Sequence, residues 1–125
     1  MGEIRNVQCS ACGATWRCLE GSGLLYGKKE SNIEAFLESE RAVVTAQIEK
    51  SEIPAYGFDF RLTVCNHCHN VVAVPVLVTG EDETYEGHCP LCGKKTASPP
   101  EDLEKEPCPV CKIKALKTEI EGHWD

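Results

Sequence analysis

The stretch CNHCHNVVAVPVLVTGEDETYEGHCPLCG, residues 65–93, begins and ends on a pair of cysteines two residues apart. Between the pairs lie an apolar run, VVAVPVLV at 71–78, then the polar segment TGEDET, then the short TYEGH. A β-branched run bounded by turn residues reads as a strand. The stretch therefore reads as a ribbon hairpin with a cysteine knuckle at each end. Pro75 cannot donate to a strand ladder, which predicts an edge strand or a break at that residue.

Two further pairs lie outside the hairpin, CSAC at 9–12 and CPVC at 108–111. Together the four pairs use eight of nine cysteines and leave Cys18 over. The chain has 125 residues and only 6% aromatic content, so a core built on large side chains would be small. Chains of this size often need covalent or metal staples. The start, MGEIRNVQCS, has no basic segment followed by an apolar run, and position 6 is Asn rather than the Ser or Thr of a myristoylation signal. The run at 71–78 is too short to span a bilayer. The expected compartment is the cytoplasm, with no membrane partner. Thiols stay reduced there, and CxxC pairs read as metal or redox sites.

Two cysteines separated by two residues can place both sulfurs on one ion, and two pairs complete a tetrahedron. Four pairs complete two. The expected metal ligands are Cys9, Cys12, Cys65, Cys68, Cys89, Cys92, Cys108 and Cys111. A catalytic dithiol usually occurs once, on a strand-to-helix turn, and no pair here leads directly into a convincing helix. Structural disulfides do not suit a chain read as cytoplasmic. Zinc is the expected metal, two ions per chain. Iron is the alternative, because rubredoxin-like sites use similar knuckles. Glycine follows the second cysteine in CSACG and CPLCG, where a left-handed backbone turns N–H groups toward sulfur. His69 and Lys112 occupy that position in the other two pairs and depart from the pattern.

Which pairs share an ion is open. Grouping in chain order gives Cys9, Cys12, Cys65, Cys68 and Cys89, Cys92, Cys108, Cys111, with 52 and 15 residues between the pairs. Nesting leaves 20 and 95 residues. Loop-closure entropy favours chain order by only about 0.8 kcal/mol. Chain order is preferred because the segment between the first two pairs then fits as an insertion. The compact hairpin at 65–93 argues for nesting.

That insertion carries a helix pattern over about 31–51. Ser31 and Glu34 match a capping box, and Ile33, Phe36, Leu37, Val44 and Ile48 fall on one face. The helix should stop before Pro54. FDFRLTV at 58–64 alternates as a half-buried strand running into Cys65. The segment 96–107 reads as a polar, proline-containing loop rather than core, and only a hint of alternation suggests a final strand. Trp124 is expected against a knuckle or the helix, and Cys18 as a buried small residue. His67 and His69 are expected as surface groups or supports to the ligands, and His88 and His123 have no evident partner. No Ser/His/Asp grouping, HExxH helix or phosphate loop is present, and GSGLLYGKK lacks the P-loop spacing.

These knuckles resemble those of zinc-ribbon proteins. The order QCSACGATW, GSGLLYG, helix, LTVCNHC, GHCPLCG, EPCPVC, terminal WD is similar to a group of small bacterial zinc-ribbon proteins. The resemblance implies a metal-stabilised structure and an adaptor role, and it carries no reaction. The expected fold is a small metal-stabilised α+β protein. It has two zinc-ribbon or rubredoxin-like knuckle sites, short β-hairpins and one inserted helix. Residues 1–80 would form a first zinc-binding unit and 81–125 a second ribbon, with one compact domain as the alternative. The formal charge of −7 disfavours nucleic acid as a partner. The expected function is a non-enzymatic protein-interaction module. Strand 71–78 and the exposed helix face are its candidate docking surfaces. A rubredoxin-like redox protein and a nucleic-acid-binding ribbon are the alternatives.

Overall fold

A computed structural model describes residues 2–22, 28–50, 56–79 and 83–124. Part of the glycine-rich stretch (23–27), the expected helix stop before Pro54 and the centre of the turn at 80–82 lie outside the described residues. The chain forms a small α+β fold of two three-stranded antiparallel sheets. Among the described residues no helix is long and apolar enough to cross a membrane.

The first sheet has the order β2-β1-β6, from β1 (Gly2–Cys9), β2 (Thr15–Glu20) and β6 (Leu116–Trp124). The second has the order β3-β4-β5, from β3 (Gly57–Cys65), β4 (Asn70–Thr79) and β5 (Glu83–Glu86). Each sheet takes strands from both sides of residue 80, so the strand pairing does not follow a division there. The sheets meet through reciprocal bonds between Gly21 and Phe60, each 2.8 Å. Trp124 closes the same junction. Its indole N–H lies 3.2 Å from the carbonyls of both Glu3 and Glu20, and its ring stands edge-on to Phe60. It therefore packs at the seam between sheets, not on a knuckle or helix. Gly2 lies directly under the indole, where a Cβ would collide with the ring.

β4 is the central strand of its sheet, not an edge, and Pro75 sits in its middle. The register explains how. The Pro75 carbonyl accepts from Gly87 N at 2.8 Å, on the side facing β5. In an antiparallel strand a residue's N and C=O point to the same side. The nitrogen that lacks a hydrogen thus faces β5's side, where β5 has already ended at Glu86, opposite Val76. Only the half of β4 before Pro75 lacks a strand partner there among the described residues.

Alternation on β3 and β4 splits the core. Leu62, Val64 and Val71 face the first sheet and pack with Val7, Cys18, Leu103 and Leu116. Val72, Val74 and Val76 face the other way and pack with Cys65 and Cys89. Leu103 belongs to the first group, so the 96–107 segment is partly core. Thr63 Oγ1 also binds that segment, donating to Ala97 O at 2.8 Å.

The insertion is helical but broken. α1 (Lys29–Glu34) and α2 (Arg41–Lys50) flank a 3₁₀ turn at Glu38–Glu40. No capping box forms. Lys28 is the N-cap with no side-chain bond, and Ser31 lies inside the first helix. The break is stabilised from the second helix, where the Arg41 guanidinium donates to Phe36 O and Glu34 O, each at 3.2 Å. The expected apolar face survives the break. Phe36, Val44 and Ile48 are buried against Leu77, with Ile33, Tyr56, Phe58 and Tyr85 around them. The break also turns Glu40 inward, to 3% exposure. Its Oε2 accepts from Tyr85 O–H at 2.6 Å, and Oε1 accepts from His88 N at 3.1 Å.

Candidate metal centres

Each cysteine pair sits on the same tight turn. In the first, Gly13 N donates to Cys9 O and Cys9 N donates to Ala14 O, both at 2.9 Å. The third and fourth repeat this with Gly93, Cys89 and Lys94, and with Lys112, Cys108 and Ile113, all at 2.9 Å. In the second, the Cys65–Asn70 pair closes the β3–β4 ladder at the same spacing. The residue after the second cysteine is left-handed in all four: φ is 81° at Gly13, 59° at His69, 78° at Gly93 and 67° at Lys112. The two departures from glycine therefore do not change the turn.

The turns meet in nested order. One set is Cys9, Cys12, Cys108 and Cys111, and the other is Cys65, Cys68, Cys89 and Cys92, with the sulfurs of each set within 4.8 Å of one another. The grouping in chain order is thus not the one the fold makes. Strand pairing explains why. β1 and β6 are antiparallel over their whole length, and the Cys9–Leu116 register brings the turn after β1 beside the turn before β6. β5 runs back along β4 and returns the third turn to the Cys65–Cys68 end. Against eight paired residues on β1, an entropy preference of about 0.8 kcal/mol is small.

The inter-turn sulfur distances are 3.6 Å (Cys9–Cys111, Cys65–Cys92) and 3.7 Å (Cys12–Cys108, Cys68–Cys89). A disulfide would need about 2.05 Å. A tetrahedron with metal–sulfur bonds of about 2.3 Å has an edge of about 3.8 Å. Both sets are therefore spaced to hold a metal ion, and all nine thiols are free of disulfides.

The protonation pattern fits sets that need a cation. Cys9 is drawn down to about 7, chiefly by the N–H of Cys12. Cys65 also falls to about 7: burial opposes ionisation, but N–H donors at Cys68 and His67 outweigh it. Their neighbours go the other way. Burial and the adjoining thiols push Cys89 up to about 12. Despite a donor at Ile113, burial and the same crowding push Cys111 to about 11. Metal-free, each set holds one thiol that ionises readily and others that are held protonated. A bound cation favours the thiolate at those others too, so metal uptake must release protons and weaken in acid.

Further polar groups contact the sulfurs and the backbone of the turns. Asn70 Nδ2 lies 3.5 Å from Cys68 Sγ and 3.2 Å from Cys68 O, while its Oδ1 accepts from Trp16 Nε1 at 3.1 Å. Val110 N donates to Cys108 Sγ at 3.4 Å. His69 Nδ1 and Lys112 Nζ both reach Pro109 O, at 3.2 and 3.1 Å. A carbonyl can only accept, so the imidazole proton sits on Nδ1 in this contact. His88 is tied by its backbone to Glu40 and by Nδ1 to Gly93 O at 3.3 Å. His67 and His123 are exposed, and none of the four histidines belongs to either sulfur set. Nothing in a single sequence separates Asn70 from any other residue two places after a cysteine.

Cys18 is buried, its Sγ 3.7 Å from Val71 O. Burial, with Glu20 nearby, pushes its thiol up to about 11. It stands outside both sets.

Fold and sites together define a small α+β protein with two four-cysteine, zinc-ribbon-like clusters. A scan against protein-family models, a search of curated proteins and a search of solved structures each find no match for this chain.

Proposed function

We propose that the protein holds two structural zinc ions and serves as a non-enzymatic protein-interaction module. The observation that carries the first half is the spacing of the two sulfur sets, 3.6–3.7 Å between turns. Four thiolates fill a tetrahedron and leave no position for an activated water, unlike a catalytic zinc with three protein ligands. Cys9, Cys12, Cys108 and Cys111 would hold one ion, and Cys65, Cys68, Cys89 and Cys92 the other. The ions would supply closed cross-links that organise both sheets.

The interaction half rests on surface. A groove of about 510 Å³ runs along Val71–Ala73, the part of β4 that β5 does not reach, with Leu19, Phe60 and Leu91 among its walls. Leu19 and Leu91 are 43% and 68% exposed. Exposed apolar side chains beside an open strand edge are suited to receiving a protein segment. Of the strand 71–78 expected as docking surface, residues 76–78 are paired with β5.

Elemental analysis of protein purified without added metal tests the metal assignment. Two zinc ions per chain and a colourless sample are expected. Iron, with a visible thiolate charge-transfer band, would replace this reading with a rubredoxin-like redox protein. For the surface, Leu91→Asp should abolish partner capture while leaving the metal content at two. Capture that survives both this change and Leu19→Asp would remove the groove from consideration.

A further inference from the structure

We infer that the two sites fill in a fixed order: the inner set of Cys65, Cys68, Cys89 and Cys92 loads first, and the outer set of Cys9, Cys12, Cys108 and Cys111 is assembled on it. The inference rests on the metal-binding reading above and adds a sequence of events to it.

Chain length sets the intrinsic order. The inner turns are separated by 20 residues and the outer turns by 95. With closure entropy scaling as (3/2)R ln n, the outer site starts about tenfold weaker. The inner loop is also pre-shaped by local pairing, because β4 and β5 form a hairpin between its turns. The outer site needs β1 to find β6 across the length of the chain.

Contacts then make the second event depend on the first. The strand following the Cys65–Cys68 turn has two working faces. Val72 and Val74 pack on Cys65 and Cys89. Val71, one residue earlier, packs in the cluster that contains Cys9 and Cys108. Ordering the inner set therefore places a wall for the outer one. Two polar bridges cross between the sites. His69, in the inner turn, donates to Pro109 O inside the outer turn Cys108–Cys111. Trp16, just after the outer turn Cys9–Cys12, donates to Asn70, which in turn contacts Cys68 Sγ. Coupling of this kind is reciprocal in free energy, so each ion strengthens the other equally. Unequal closure decides which comes first.

The test uses the full-length reduced, metal-free chain, with Zn²⁺ added at one and two equivalents, brief alkylation and mass mapping of each cysteine. At one equivalent, Cys65, Cys68, Cys89 and Cys92 should be protected in a clearly larger fraction of chains than Cys9, Cys12, Cys108 and Cys111. At two equivalents all eight should be protected. Equal protection of both sets at one equivalent, or earlier protection of the outer set, overturns the order while leaving metal binding intact. Labelling of all eight at two equivalents overturns the metal reading itself. His69→Gly keeps the left-handed turn and removes one bridge. It should weaken the second binding step about fivefold, the worth of one hydrogen bond, and leave the first step undiminished. An unchanged second step would show that the His69–Pro109 contact does not couple the sites.

Discussion

Replacing Glu40 should destabilise the protein far more than a charged residue in a helical insertion ordinarily would. The residue is 3% exposed, and its carboxylate takes two donors, Tyr85 O–H at 2.6 Å and His88 N at 3.1 Å. Glu40→Ala leaves both donors without an acceptor, at about 1–3 kcal/mol each, so a loss of about 3 kcal/mol is expected. Glu40→Gln keeps one acceptor oxygen and loses the charge, which should cost about 1–2 kcal/mol. Tyr85→Phe removes a single charge-assisted bond and should cost about 2 kcal/mol. Urea unfolding of the metal-loaded variants measures all three. Because the residues share one bond, the double variant Glu40→Ala/Tyr85→Phe should fall short of the sum of the singles by about 1 kcal/mol or more. The same bond pushes Tyr85 up to about 12, after burial, which is the larger cause. A phenol raised above its unfolded value of about 10 stabilises the fold below pH 10 and loses that contribution as pH climbs toward 12. An ultraviolet titration should accordingly show a tyrosine step near pH 12 that Tyr85→Phe removes. A Glu40→Ala variant within about 0.5 kcal/mol of wild type would refute this reasoning, because that is the behaviour of a solvated surface residue.

Stripping the metal with a strong chelator at neutral pH should abolish the cooperative melt, since each structural site contributes on the order of 10 kcal/mol; circular dichroism during a thermal scan checks this. Cys18 should be the only thiol open to alkylation in the loaded protein, and a slow one. Its thiol is raised from 9.0 to about 11, which cuts the thiolate fraction at pH 8 about a hundredfold, so the rate should keep rising with pH beyond 9. Gly87→Ala should destabilise by about 1–3 kcal/mol in a urea melt, because a Cβ there would sit 2.8 Å from Pro75 Cγ and 2.9 Å from its Cδ.

The parts of this fold legible in the sequence are those with local patterns. The eight cysteines announce themselves by spacing, and residues 65–93 announce a hairpin by a β-branched run and a turn. The helical insertion shows its face through Phe36, Val44 and Ile48. What escaped depends on partners far away. β1, GEIRNVQC, buries only Gly2, Val7 and Cys9, and its register with β6 joins residues more than a hundred positions apart. No periodicity in eight mixed residues declares that pairing, yet it decides which sulfurs share a site. Glu40 escaped because a carboxylate on a helical segment reads as solvated, and its donors lie 45 and 48 residues on. Pro75 reads locally as an edge or a break, yet it sits in the middle of the central strand, in register with Phe60. The end of β5 at Glu86, which makes it compatible, follows from a tertiary register that no local rule contains.

The two turns without glycine are best understood together. A side chain in the left-handed region costs about 1–2 kcal/mol relative to the right-handed one. At Gly13 and Gly93 a Cβ would meet nothing within 4 Å, so glycine there relieves the backbone and nothing else. His69 and Lys112 carry the strain, at φ of 59° and 67°, and each spends its side chain on the same atom, the carbonyl of Pro109. For Lys112 that contact lies within its own turn, and for His69 it reaches across to the other site. Both residues therefore serve one point, the place where an inner-set turn and an outer-set turn touch. Glycine at either position would ease the turn and remove a bond from that junction. The departure from the glycine pattern thus falls on the two turns that meet there, and the two turns that take no part in that contact keep their glycines.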